Sequence, residues 1–344
     1  MHNVIFALCL SVLAGICNGS FALPTKHVTK WRFENIWLNF AIWGFIILPW
    51  SSMLFLAPQT FAIYSKIPTH LLLIISGGGI FFGIGQVCFA RALNSIGMGL
   101  SFAINLGIGI ALGCGLPLIV QYPDKIFTKF GGIILTSILL TVLGLIFSTH
   151  AGAMCQRMKY KATTSLKTEQ KKKHSLGVLL AIISGISSAS QNFIFAYTNS
   201  IQDLALQLGA NSLAAANIMW PCYLLWGFIP YMLYMLYLHY KHNSFAMYSL
   251  PGVGKYYFFA AIMGVFSYGS LLLYAKATQL MGKLGPIIGW PIFMVVIILT
   301  SNFWGWQSNE WRGCSLKAKN ILLLGLGFFV LSVITLGYGS AVLK

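Results

Sequence analysis

Ten apolar runs of roughly 20 residues constrain this chain more than any other feature, because that length crosses the hydrocarbon core of a bilayer as a helix. They fall at about 4–23, 36–56, 71–92, 98–120 and 131–149, and resume at about 176–198, 213–238, 256–280, 285–306 and 320–341. Lipid offers no hydrogen bonds to backbone groups, so such runs must be helical. The sequence therefore predicts an all-α polytopic membrane protein with ten transmembrane helices. Composition agrees: 58% of the 344 residues are hydrophobic and 8% charged, which fits neither a soluble nor a disordered chain. The net charge of +17 does not indicate a nucleic-acid partner, since seven basic residues share one loop; loop charge of this kind is a topology signal. No Lys or Arg precedes the first run, which reads as a retained helix and not a signal peptide. The cysteines (Cys9, Cys17, Cys88, Cys114, Cys155, Cys222, Cys314) mostly lie in apolar segments without metal spacing, and do not read as a disulfide framework.

The polar interruption from His150 to His174 holds Arg157, Lys159, Lys161, Lys167, Lys171, Lys172 and Lys173 against Glu169. It splits the chain into a first five-helix group (1–149), a basic cytoplasmic linker (150–175) and a second group (176–344). The groups resemble each other. Trp37-x5-Trp43-Gly-Phe-Ile matches Trp220-x5-Trp226-Gly-Phe-Ile at an offset of 183 residues. Ala90-Arg91-Ala92-x4-Gly97 matches Ala275-Lys276-Ala277-x4-Gly282 at 185, and Gly15-Ile16 matches Gly185-Ile186 at 170. A longer loop between helices six and seven accounts for the jump. An odd number of helices inserts the second copy upside down, so the expectation is two inverted five-helix repeats, the architecture of a transporter. The loops after helices 1, 5, 7 and 9 carry the most Lys and Arg, which makes that side cytoplasmic and leaves both termini outside an inner membrane.

Polar groups inside apolar helices need partners, and a sugar cargo needs amides for its hydroxyls and aromatic platforms for its C–H face. The candidates for substrate binding are Asn18, Asn39, Trp43, Gln86, Asn105, Gln191, Trp220, Tyr268 and Trp290. Asn39, Trp43 and Trp50 share one helical face by their spacing. Trp220-Pro221 and Trp290-Pro291 gain weight because proline frees an upstream carbonyl. The 185-residue offset aligns Asn105 with Trp290 and so places them opposite one another at mid-membrane. Each of these residues also has a plainer reading in helix packing or the interfacial belt; Trp304, Trp306 and Trp311 belong to the belt. Arg91 and Lys276 stand at equivalent helix ends as gates, or snorkel to headgroups. All five acids (Glu34, Asp124, Glu169, Asp203, Glu310) fall in loops or at helix ends, and no helix centre holds Asp, Glu or His. The expectation is that no carboxylate is buried and that transport depends weakly on a pH gradient. Glu34, Glu310 and His150 are the nearest coupling candidates.

Three stretches resemble the rhamnose–proton symporter family. They are Phe21-Ala-Leu-Pro24-Thr-Lys26 with Lys30-Trp31-Arg-Phe33-Glu34-Asn-Ile-Trp37, then Phe45-Ile-Ile-Leu-Pro49-Trp50, then Ile80-Phe-Phe-Gly83-Ile-Gly85-Gln86 with Arg91 and Ile96-Gly97-Met98-Gly99. Trp304-Gly305 and Asn309-Glu310-Trp311-Arg-Gly313 add a weaker match. The resemblance implies a ten-helix member of the drug/metabolite transporter superfamily with a sugar or related metabolite as cargo and a proton as co-substrate. An exporter of amphipathic metabolites or drugs is the alternative. A membrane enzyme would need a clustered nucleophile, base or metal set; none is found, and no cofactor or metal is expected.

Overall fold

The computed structural model describes residues 2–96, 98–159 and 167–342, and no strand occurs among them. Ten helices are long and apolar enough to cross a membrane. They are α1 (His2–Ser20), α2 (Phe33–Leu56), α3 (Thr69–Ile96), α4 (Met98–Gln121), α5 (Lys129–Lys159), α6 (Lys167–Tyr197), α7 (Ser212–His242), α8 (Gly254–Met281), α9 (Gly285–Gln307) and α10 (Leu316–Val342). Large side chains such as Leu73, Leu139 and Ile334 are exposed on their outer faces, as lipid contact requires.

Eight of the ten expected runs coincide with helices to within a few residues; α5 ends later and α6 starts earlier than expected. The clear difference lies in the basic interruption. α5 continues to Lys159 and α6 begins at Lys167, so much of 150–175 is helix; residues 160–166 lie outside the described residues, as does Gly97 of the repeat match. α5 continues because Ala151 and Cys155 prolong its buried stripe. A short helix, Ser200–Gln207, occupies the longer loop between α6 and α7, and another, Thr60–Lys66, joins α2 to α3.

Contacts divide the chain into two bodies, each drawing helices from both halves of the sequence. The first comprises residues 2–84 and 194–283. Its hub is α8, which packs on α1, α2 and α7. The N-terminal part of α3 meets α7 backbone to backbone, since a Cβ on Gly83 would fall on the Gly227 carbonyl. Helices in lipid gain no hydrophobic drive to associate, so close approach and hydrogen bonds must supply the adhesion.

The second body runs from Gly85 to Phe193 and from Leu284 onward. α4 packs on α5 and α9, and α5 lies along α10. Gly144 and Gly325 admit each other's backbone there, and the Ser332 hydroxyl pairs with Ser137 Oγ (2.7 Å) and Thr141 Oγ1 (2.8 Å). At the end of this seam Cys155 is disulfide-bonded to Cys314. Among the described residues the cysteines thus make one bridge and no framework; a separation of 159 residues in sequence hid the proximity of this pair.

Candidate functional site

Two helices of the first body are irregular, each beside a proline. In α2 the stretch Ile42–Ile47 is a π turn, in which the Leu48 N–H reaches back to the Trp43 carbonyl. Pro49 follows and has no N–H to continue the normal ladder. The wider turn changes the register of what comes after it. Trp50, beyond it, stacks on Phe61, at 5.8 Å between ring centroids. In α7 the helix breaks at Ile218, three residues before Pro221. The Tyr64 hydroxyl fills the gap: it donates to the Ile218 carbonyl (2.5 Å) and accepts from the Cys222 N–H (3.3 Å). Those two groups are each other's partners in an unbroken helix, so the tyrosine is inserted into the ladder. Burial pushes the Tyr64 hydroxyl well above its ordinary range, which keeps the proton it donates.

The same body holds Asn18, Asn39, Trp43, Trp220 and Tyr268 of the substrate-binding candidates. Asn18 on α1 donates to Ser270 Oγ on α8 (2.8 Å), and Tyr268 shares a hydrogen bond with Ser52 on α2 (2.8 Å). Asn39 donates to the Asn35 carbonyl one turn back, and Trp43 is half-buried. Trp220 is fully buried and stacked on Phe195 at 5.2 Å. Among the described residues its indole N–H has no hydrogen-bond partner, and neither do Ser11 Oγ and Asn217 Oδ1. Lys276 does not reach outward; its ammonium binds Ser212 Oγ at the start of α7 and Gln279 Oε1.

In the second body α4 carries a stripe at 105, 109 and 113 that is zipped to α6 and α9. Asn105 donates to Ser184 Oγ on α6 (2.6 Å), and the Trp290 N–H on α9 donates to the Gly109 carbonyl (2.9 Å). Trp290 thus meets α4 one turn from Asn105. Asn192, which the sequence argument passed over, donates to the carbonyls of Gly113 (2.7 Å) and Pro286 (3.0 Å). Pro117 lacks the N–H that would take the Gly113 carbonyl, and that spacing was a readable signal for a buried donor. Gln191 beside it is buried and Gln86 half-buried; Arg91, Glu310 and His150 are exposed.

The expectation of no buried carboxylate is overturned by Glu34. It sits in the first turn of α2, as an acid at a helix end should, yet its side chain is 2% exposed and its Oε1 lies 3.0 Å from His242 Nδ1. The segment after α7 folds over this end of α2. Trp31 Nε1 bonds the Met247 carbonyl, and Lys30 bonds that of Pro251. Position along the chain placed Glu34 at the surface; contacts two hundred residues away bury it.

A family model described as the L-rhamnose-proton symport protein matches residues 1–342. The L-rhamnose-proton symporter of Klebsiella pneumoniae (strain 342) is 24% identical and is covered over 99% of both chains. That of Mannheimia succiniciproducens is 24% identical, and that of Escherichia coli (strain 55989) 25% identical, each over 93% of this chain and 94% of its own. With its ten apolar helices the protein is a multi-pass inner-membrane transporter and not an enzyme. By a match that leaves only its last two residues outside, the chain belongs to the L-rhamnose-proton symport protein family.

Proposed function

We propose that this chain moves L-rhamnose, or a sugar close to it, across the inner membrane together with a proton, by alternating access. The observation that carries this is the end-to-end match to relatives named L-rhamnose-proton symporters. The irregular α2 and α7 support it, since carriers place interrupted helices where cargo and coupling ions bind. Asn18, Asn39, Trp43, Trp220 and Tyr268 are the sugar-contacting candidates of the first body. Gln86, Asn105, Gln191 and Trp290 are those of the second. Glu34, Arg91, Lys276 and Glu310 are the gating or coupling candidates.

The inverted repeat of 1–149 and 176–344 belongs to the same reading. Its support is that equivalent helices pack in pairs, α2 with α7, α4 with α9 and α5 with α10, as a pseudo-two-fold axis would arrange them. The Lys and Arg of the 150–175 segment support a reading in which it is cytoplasmic and both termini lie outside. The test is uptake of labelled L-rhamnose by proteoliposomes under an inward proton gradient, beside a panel of monosaccharides. Accumulation of L-rhamnose that an uncoupler abolishes is the expected result. Failure to accumulate any monosaccharide, with extrusion of a drug-like cation instead, would overturn the reading in favour of an exporter.

A further inference from the structure

The buried acid belongs to a longer hydrogen-bonded chain. From the surface inward it begins at His242, 32% exposed, and passes to Glu34. The Ser244 hydroxyl lies within hydrogen-bonding reach of that carboxylate and also binds Nδ1 of His239 at 2.8 Å. His239 is fully buried, one turn deeper along α7, and its Nε2 pairs with the Tyr248 hydroxyl at 3.1 Å. Tyr248 donates in turn to the Asn35 carbonyl, and Asn35 Nδ2 to the Ser244 carbonyl. All of these groups lie in one body.

We propose that the Glu34–His242 pair is the proton-binding site of this carrier, with Ser244, His239 and Tyr248 as the hydrogen-bonded path leading inward from it. The inference rests on the proton-coupled reading above and assigns the group that holds the proton. Empty, the pair is a carboxylate and a neutral imidazole, with charge −1. One proton from water adds to the imidazole and leaves an ion pair of zero net charge. A buried carboxylate left without a partner is far costlier to hold out of water than a paired one, so the loaded pair can enter a dry, occluded state that the empty pair resists. Tyr248, pushed up to about 12 by burial, stays a donor throughout. The other charged groups at this end are engaged elsewhere or exposed. Lys30 is on the Pro251 carbonyl, Lys255 over the Tyr256 ring, Lys241 over the Tyr237 ring, and Arg32 in solvent.

The experiment reconstitutes wild type, Glu34→Gln, His242→Gln and the double variant, and reads two kinds of L-rhamnose transport. Exchange at equal sugar concentration without a gradient should survive in wild type, in Glu34→Gln and in the double variant, which leave no bare buried charge, and should fail in His242→Gln, which strands the Glu34 carboxylate. Accumulation under an imposed proton gradient should fall about tenfold or more in each variant, as removal of a titrating partner demands. Gradient-driven accumulation at the wild-type level in Glu34→Gln and His242→Gln would overturn the assignment. Loss of exchange and accumulation alike in both, with an altered melting curve, would also overturn it, by making the pair a clamp between α2 and α7. A cargo-free arm separates this inference from the cargo assignment. Potentiometric titration of purified protein between pH 8 and 5 should show wild type binding about one proton more than the double variant. Equal proton uptake refutes the site even if rhamnose is transported. A one-proton difference upholds it even if wild type moves a different sugar.

Discussion

The α4–α6–α9 seam makes a prediction that can be worked from its hydrogen bonds. Replacing Asn192 with Leu keeps the branched shape of the side chain and removes the donor to the Gly113 and Pro286 carbonyls. The two losses are unequal. Pro286 O remains within a helix whose ladder continues to Trp290, so its bond is worth about 0.6 kcal/mol, the average for interhelical bonds in membranes. Gly113 O has no helical donor because residue 117 is proline, and a buried orphan carbonyl costs about 1–3 kcal/mol. Asn192→Leu should therefore destabilise by about 2–4 kcal/mol in total. Pro117→Ala supplies the missing N–H. In that background the same substitution should cost only about 0.5–1 kcal/mol, a coupling of at least about 1 kcal/mol between residues on different helices. The assay is reversible unfolding of purified protein in mixed micelles with increasing SDS, followed for all four members of the cycle. An additive cycle, in which Asn192→Leu costs the same with and without Pro117, would refute the reasoning.

Tyr64→Phe removes the hydroxyl bridging Ile218 and Cys222, and should lower stability by about 1–3 kcal/mol in the same assay; an unchanged midpoint would mean that α7 closes its own turn. A C-terminal alkaline phosphatase fusion should be active and a fluorescent-protein fusion dark, and the reverse pattern would invert the orientation. If the α5–α6 end is cytoplasmic, the Cys155–Cys314 bridge should be held open in cells, so that both thiols take up maleimide added before lysis, and should close only after purification in air. Protection of the pair in that experiment would place this end on the oxidising side.

The helices were legible because the bilayer leaves a sequence little choice: ten runs of sufficient length and apolarity became ten helices. Irregularity was only half legible. Pro49, Pro117 and Pro221 marked where backbone groups come free, but not who would take them. Tyr64 lies on a short connecting helix and Asn192 on α6, and neither has a local reason to be chosen. Glu34 illustrates the general limit. A hydropathy scan sees an acid at the edge of an apolar run and assigns it to water, whereas its partners, His242 and Ser244, come from a segment two hundred residues away. The Cys155–Cys314 pair was hidden for the same reason.

The two bodies use their polar side chains differently, and the difference bears on where chemistry resides. In the second, Asn105, Asn192 and Trp290 each bind a neighbouring helix, which makes them adhesive in the absence of a hydrophobic drive. Its unpartnered groups, Gln121 Nε2 and Ser148 Oγ, lie toward the ends of α4 and of the apolar run of α5, where headgroups and water reach. In the first, Trp220 Nε1, Asn217 Oδ1 and Ser11 Oγ stand unpartnered among the described residues inside the apolar runs, beside a helix already broken at Ile218. An unmet buried group costs about 1–3 kcal/mol, and native structures keep few without a compensating role. A hydroxylated cargo or the water it displaces would supply the missing partners for part of the transport cycle. The same body holds the buried Glu34. Unspent hydrogen-bonding capacity and the buried acid thus coincide in one body, and under the proposed function that coincidence puts more weight on Trp220 than on Trp290 as the sugar-contacting candidate.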